Sequence, residues 1–170
     1  MNIDTAYKMV SEEIKACYCV STDNARECDF GFYFPLALKS GEILAPGVIG
    51  VFLDKNSKGI HYVGSGRSID YSLEAYSREL HKPQNLSVTE VSDINQACKI
   101  LQSLQLTYVK EEIVSADLYR VQDFYRNRQI RSKLQNLPAL FEEVYLFHRL
   151  EELKNAEEDE SLKFKLEKRK

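Results

Sequence analysis

Apolar residues recur along the first two thirds of the chain with periods that predict alternating helices and strands. Residues 3–17 carry them at helical spacing, which predicts an amphipathic helix. In residues 29–38 they alternate with other residues, the period of two that is typical of a half-buried strand. Because Pro35 cannot donate a ladder hydrogen bond, we expect this strand to lie at the edge of its sheet or to end at Pro35.

The next segments predict a hairpin followed by a helix. Residues 48–53 are almost continuously apolar, which indicates a central strand covered on both faces. A polar turn at 54–59 leads into a returning strand at 60–63. Ser68 is expected to cap the helix that follows. Further along, the pattern predicts a strand at 86–91, a helix at 93–104 and a strand at 106–109.

The last third is interpreted as helical. Leu118, Val121 and Tyr125 have helical spacing, which predicts a long helix over 115–134. A second helix is expected after Pro138. The fold class is therefore predicted to be α+β, with a small antiparallel sheet and flanking helices, followed by a helical C-terminal part. Three parts of the chain are predicted. An α+β domain covers residues 1–110, a helical extension packed on it covers 111–154, and a frayed or disordered charged tail covers 155–170.

Composition narrows the class of protein. The 170 residues are 44% hydrophobic and 29% charged, which suits a folded core. No apolar run approaches the roughly 18 residues of a membrane span, and the first residues lack the pattern of a secretory signal. We therefore expect a cytoplasmic protein with no membrane partner. The 23 basic and 26 acidic residues give a net charge of −3, which makes nucleic acid an unlikely partner.

Candidate catalytic and metal-binding patterns are weak. Cys17, Cys19 and Cys28 lack the paired spacing of zinc ligands and are interpreted as reduced thiols. No serine lies in a GxSxG motif, and one sequence does not show whether any cysteine pairs with His61 or His148. A glycine-rich turn at 64–67 favours a plain turn over a phosphate site. The prediction is that there is no catalytic residue, metal or cofactor.

The hairpin segment resembles that of the YrhB-like family, which includes many immunity proteins of bacterial polymorphic toxin systems. The shared pattern is an apolar strand ending in Asp54, a Lys/Ser/Gly turn, the Ile60-His61 pair, and Gly64 before a short acidic helix. With the aromatic strand and the N-terminal helix, the resemblance covers about residues 3–80. It implies a small α+β fold and a protein that binds and neutralises a cognate toxin by stoichiometric inhibition.

A second resemblance is to GIY-YIG nucleases, whose two half-motifs look like Gly50-Val51-Phe52 and Tyr62-Val63-Gly64. In that family two strand tyrosines and a helix arginine act on a phosphodiester. Here Phe52 stands where the first tyrosine is expected, and residues 71–73 supply no arginine at the helix position. An active or degenerate nuclease is therefore the alternative function, together with a chaperone-like or scaffold protein of the same fold.

Partner contacts are predicted from tyrosine and arginine, the residue types enriched at binding hot spots. Two sets are candidates. Tyr119, Arg126 and Arg128 are expected on the predicted long helix, and Tyr62 and Tyr71 beside the hairpin. The same aromatic and basic cluster is compatible with nucleic-acid stacking, but an amphipathic helix with solvated arginines fits the net charge better.

Overall fold

The structure, a computed structural model, describes residues 1–42, 47–114 and 117–168. Over those residues it contains five α-helices and ten strands, and every strand pairing is antiparallel. The predicted α+β class is confirmed. The chain divides into two compact units, Met1–Arg78 and Glu79–Lys170, whereas the sequence interpretation placed a division near residue 110. No helix of the described part has the length and apolar character needed to cross a membrane.

The first unit is a sheet with one helix on each face. Its strands follow the order β1-β3-β4-β5, and β2 also pairs with β3. The elements are α1 Ile3–Glu13, β1 Tyr18–Val20, β2 Arg26–Cys28, β3 Gly31–Leu38, β4 Val48–Asp54, β5 Ile60–Gly64 and α2 Ile69–Ser77. The predicted central strand, hairpin and capped helix are all confirmed, and the amide of Tyr71 donates to Ser68 Oγ at 3.1 Å.

Pro35 lies inside the sheet and its strand continues to Leu38, so the prediction that the strand lies at an edge or ends at Pro35 is wrong. On one side of β3, β2 pairs only up to Tyr33 and β1 pairs only from Leu36 onward. The carbonyl of Pro35 faces this gap, where it accepts a hydrogen bond from the Ser21 amide at 3.0 Å. Since the nitrogen and carbonyl of a strand residue point the same way, the missing donor falls where no ladder bond is needed.

The sheet face that packs against α1 carries the apolar core of the first unit. Ala6 and Val10 of α1 are fully buried. They belong to one cluster with buried side chains of the two central strands, which are Phe32, Phe34, Leu36, Val51 and Leu53. Burial of this kind contributes roughly 1.5–3 kcal/mol for each large side chain, so the face accounts for much of the unit's stability.

The opposite face is built from aromatic rings and two glycines. Phe52 stacks on Tyr76 of α2, with ring centroids 5.4 Å apart, and pairs across the strands with Tyr33. A Cβ at Gly31 would lie 2.2 Å from the Phe52 ring, and a Cβ at Gly50 2.3 Å from the Tyr33 ring. Each ring therefore occupies the space that the glycine of the neighbouring strand leaves free.

The second unit combines a three-stranded sheet, β10-β6-β9, with a separate two-stranded ribbon, β7-β8. Its elements are β6 Gln84–Val91, α3 Ile94–Ser103, β7 Thr107–Val114, β8 Asp117–Phe124, α4 Asn127–Leu134, β9 Ala139–Val144, a 3-10 turn Phe147–Arg149, α5 Leu150–Glu158 and β10 Leu162–Lys168. Its buried side chains come from the sheet and from all three helices, and include Leu86, Val88, Leu101, Ile130, Phe141 and Leu153.

Several predictions for this part of the chain are wrong. The helix expected over 115–134 is replaced by β8 and the eight-residue helix α4, with residues 115–116 outside the described part. The helix expected after Pro138 is the strand β9, and the tail expected from 155 contains the end of α5 and the strand β10. A mixed unit of strands and short helices therefore stands in place of the helical C-terminal part.

Candidate partner-binding site

The two tyrosines predicted beside the hairpin are not on one surface. Tyr62 packs against the α1-side cluster, and its hydroxyl accepts a hydrogen bond from the Lys15 amide at 3.3 Å. Tyr71 belongs to α2, which packs on the opposite sheet face through Tyr76. The guanidinium of Arg67 lies 5.1 Å from the centre of the Tyr71 ring. These residues therefore do not form a single contact patch.

The second predicted set is also divided. Tyr119 lies in β8, opposite Glu112, and is 50% exposed. Arg126 is the N-cap of α4 and Arg128 is an exposed residue of its first turn. The tyrosine therefore belongs to a strand and the two arginines to a helix. The five strand steps from Tyr119 to Phe124 span about 17 Å at 3.3–3.4 Å per residue, which separates Tyr119 from the arginines.

The two positions that resemble the nuclease half-motifs are likewise separated. Tyr62 pairs with Val51 and His61 pairs with Phe52. Because side chains at paired positions share a face and neighbours alternate, Phe52 and Tyr62 point to opposite faces of the sheet. Phe52 is buried among rings. The strands therefore do not present these two positions to one substrate.

The β7-β8 ribbon presents two unlike faces. The register runs from Thr107 opposite Phe124 to Val114 opposite Asp117, so alternate pairs share a face. We call one side the exposed ribbon face; its side chains are Thr107, Val109, Glu111, Ile113, Leu118, Arg120, Gln122 and Phe124. On the other side Lys110 forms ion pairs with Glu112 at 2.7 Å and with Asp123 at 3.0 Å. These charged groups of that face are therefore paired within the ribbon itself.

Large apolar side chains lie in water on the exposed ribbon face. Ile113 is 77% exposed and its cross-strand partner Leu118 is 63% exposed. Phe124 and Val109 of the same face are 56% and 49% exposed. The Glu111-Arg120 pair separates Ile113 and Leu118 from Val109 and Phe124 on this face. Exposed apolar surface next to charged residues is typical of interaction sites. The exposed ribbon face is therefore the strongest candidate contact surface in the described part of the chain.

A bulge in β9 directs two adjacent glutamates to the outside of the sheet. Gln84 pairs with Val144 and Leu86 with Phe141, so two residues of β9 face one residue of β6. Phe141 and Val144 are buried, and Glu142 and Glu143 lie between them. Glu143 has a φ of 55°. A regular strand would turn one of two neighbouring side chains into the core, whereas the extra residue lets both face outward.

The exposed ribbon face and the β9 bulge line one open groove of about 740 Å³. Glu111, Arg120 and Gln122 contribute from the ribbon, and Glu142, Glu143 and Tyr145 from β9 and the residue after it. The amide of Glu143 donates to Asn85 Oδ1 at 3.2 Å, which fixes the bulge against β6. The volume is within the range of sites that hold a small molecule or a few residues of a peptide.

The groove carries an excess of negative charge beside aromatic rings. Arg120 Nε lies 3.5 Å from Glu111 Oε1, whereas Glu142 of the same groove takes part in no ion pair among the described residues. Tyr125, which also lines the groove, lies 4.8 Å from Tyr108 between ring centroids. Burial raises the pKa of the Tyr125 hydroxyl, and the nearby Glu142 carboxylate raises it further. The arrangement favours a positively charged group over an anion.

Sequence reasoning missed the groove because it assigned both walls to helices. The apolar-polar-polar-apolar spacing of residues 141–144 is the spacing of one helical turn, and it is also what a bulged strand produces. The one available signal was the Glu142-Glu143 pair itself, whose exposed charges require an outward-facing position. Within the described residues, no group of three His, Cys, Asp or Glu side chains comes together as a metal site.

Comparison with known proteins identifies no relative. The chain matches no protein-family model, no curated protein and no solved structure.

Proposed function

We propose that this protein is an immunity protein that binds a cognate bacterial toxin domain and neutralises it by stoichiometric inhibition. The observation that carries the proposal is the exposed ribbon face, because a two-stranded ribbon with four exposed large apolar side chains is suited to binding another protein. The resemblance of residues 3–80 to the YrhB-like family supplies the class of partner.

The energetics of the ribbon support a role in binding. Ile113 and Leu118 are adjacent across the strands and both largely exposed. Burying apolar surface stabilises a complex by roughly 25 cal/mol for each Å² removed from water. The free protein lacks that stabilisation, so these side chains contribute far more in a complex than in the fold.

The charge of the neighbouring groove supports a basic partner. Toxin domains that act on nucleic acid need positive surface to neutralise phosphates. A glutamate-rich groove such as the one around Glu142 complements that surface. Complementary charge accelerates encounter and orients the two proteins before the apolar contacts form.

The proposal is tested by co-purification from the native host, with mass spectrometry of the captured proteins, followed by a neutralisation assay against the captured toxin. Leu118→Asp is expected to abolish capture and neutralisation. Tyr119→Asp is the matched control, because it places the same charge on the same strand but on the other face. Capture of no toxin by the wild-type protein, or loss of neutralisation in both variants equally, would contradict the proposal.

The nuclease alternative has its own test. The purified protein with Mg²⁺ or Mn²⁺ is expected to leave DNA and RNA intact, because Phe52 and Tyr62 lie on opposite sheet faces. Cleavage that disappears on Tyr62→Phe would establish the nuclease and remove the immunity proposal. Capture of a protein that is not toxic would instead favour the chaperone-like or scaffold function.

A further inference from the structure

We infer that the groove beside the β9 bulge binds an arginine or lysine side chain, presented by an extended basic segment of a partner protein. The inference depends on the proposed function in one respect only, namely that the partner protein is a toxin. Its physical basis lies in the second unit alone, in the charge, the walls and the shape of the groove.

The charge of the groove selects a cation. Glu111 is matched by Arg120 at the ribbon end. At the bulge end, the exposed Glu142 lines the groove and takes part in no ion pair among the described residues. An anionic occupant would be repelled by the Glu142 carboxylate, whereas a guanidinium or ammonium group gains charge-assisted hydrogen bonds from it.

The aromatic walls add a second preference for a cation. Tyr108, Tyr125 and Tyr145 line the groove, and the face of an aromatic ring attracts a positive charge. Lys133 Nζ already lies 5.5 Å from the centre of the Tyr125 ring, so the ring that serves a partner's cation is that of Tyr145. Tyr145 is 56% exposed, so its ring is accessible to an incoming side chain.

The shape of the groove selects an extended segment. One wall is the exposed ribbon face, eight residues long on each strand, with apolar side chains toward its tip and charged ones toward the middle. An extended chain has alternate side chains on one side. Such a segment can place an apolar residue on Ile113 and Leu118 while a basic residue enters beside Glu142.

The test uses the full chain and three fluorescein-labelled octapeptides that alternate valine with arginine, with citrulline or with glutamate. Citrulline has nearly the shape of arginine without its charge. We expect saturable binding of the arginine peptide by fluorescence anisotropy, at least tenfold tighter than the citrulline peptide, weakening as salt is raised. The glutamate peptide is expected not to bind.

Two variants locate the binding. Glu142→Gln is expected to weaken the arginine peptide at least fivefold, and Tyr145→Leu to weaken it by a smaller factor. Glu160→Gln is the control, because it neutralises an exposed glutamate of the same unit that does not line the groove. Thermal melts followed by circular dichroism compare the stability of each variant with that of the wild type, and unchanged melting temperatures are expected.

The outcomes separate this inference from the proposed function. Equal binding of arginine and citrulline peptides, or equal weakening by Glu142→Gln and Glu160→Gln, overturns the inference even if a toxin is captured from the host. Selective arginine binding that depends on Glu142 sustains it even if no toxin is found, in which case the proposed function fails alone.

Discussion

The central strands of the first unit and the ribbon of the second are both antiparallel pairs, but they differ in what covers them. β3 and β4 are buried on both faces, with Val51 and Leu53 toward α1 and Phe52 toward α2. On the ribbon, one face is held by the ion pairs of Lys110 and the other lies open to solvent. The first pair therefore stabilises the fold, whereas the second leaves apolar surface available to a partner.

The largest expected effect tests the covered side of this comparison. Phe52→Ala removes a ring that is 1% exposed, stacks on Tyr76 and contacts Phe30 at a tilt. We expect it to lower the free energy of unfolding by about 3–5 kcal/mol, measured by urea denaturation. A loss below about 1 kcal/mol would show that the strand is not central to the fold.

A second prediction concerns the glycines that make room for the rings. Gly50→Ala would place a Cβ 2.3 Å from the Tyr33 ring, and we expect a loss of about 1–3 kcal/mol of unfolding free energy because the ring must move. Gly66→Ala is the control, since no atom lies within 4 Å of its Cβ position. Equal effects of the two substitutions in thermal melts would contradict this account of the glycine-ring contact.

Gly50 also shows how a motif residue can have a structural explanation. In the sequence it belongs to a triplet that looks like half of a nuclease motif. In the structure its lack of a side chain is required by Tyr33. The packing requirement accounts for the glycine without any substrate.

The sequence predicted the β4-β5 hairpin and α2 of the first unit because burial imposes strict spacing. A strand covered on both faces has a continuous run of apolar residues, and the run at 48–53 predicts the central strand that the structure shows as β4. The second unit lacks such constraints. Phe141 and Val144 have the spacing of a helix because of the bulge between them, and an open ribbon has no buried face to enforce a period of two.

β10 was missed for a different reason. Leu162, Phe164 and Leu166 alternate with charged residues, which is the pattern of a half-buried strand. The high density of charged residues favours a frayed tail, which is the prediction that β10 overturns. Its partner β6 lies more than seventy residues earlier, at a sequence distance that local patterns do not report.

A third prediction tests the uncovered side of the comparison. Ile113→Ala removes an apolar side chain that is 77% exposed, so we expect the free energy of unfolding to change by no more than about 0.5 kcal/mol. Binding of the captured partner should nevertheless weaken at least tenfold, or about 1.4 kcal/mol. Isothermal titration calorimetry gives the affinity and urea denaturation the stability. A large stability loss with unchanged affinity would reverse the roles assigned to the two strand pairs.

The smallest effect concerns the charged side chains that join the first residue of the second unit to its last strand. The Glu79 carboxylate accepts hydrogen bonds from the ammonium groups of Lys168 and, at 2.9 Å, of Lys82. Hydrogen bonds from Lys168 and then Lys82 hold the pKa of Glu79 below its ordinary value of 4.5. A carboxyl with a lowered folded-state pKa contributes stability above its unfolded pKa, and the contribution is lost as pH falls through the folded pKa.

Glu79→Gln is therefore expected to lower the free energy of unfolding by about 0.5–1 kcal/mol at pH 7. The difference from the wild type should shrink as pH falls below about 4.5 and vanish once the carboxyl is protonated in both states. Urea denaturation at a series of pH values measures this convergence. Glu90→Gln is the control, because Glu90 pairs with Lys163 at 2.5 Å on a more exposed part of the same sheet. A difference that stays constant from pH 7 to pH 3 would mean that Glu79 acts through its shape and not through its charge, so that β10 is held by the ladder alone.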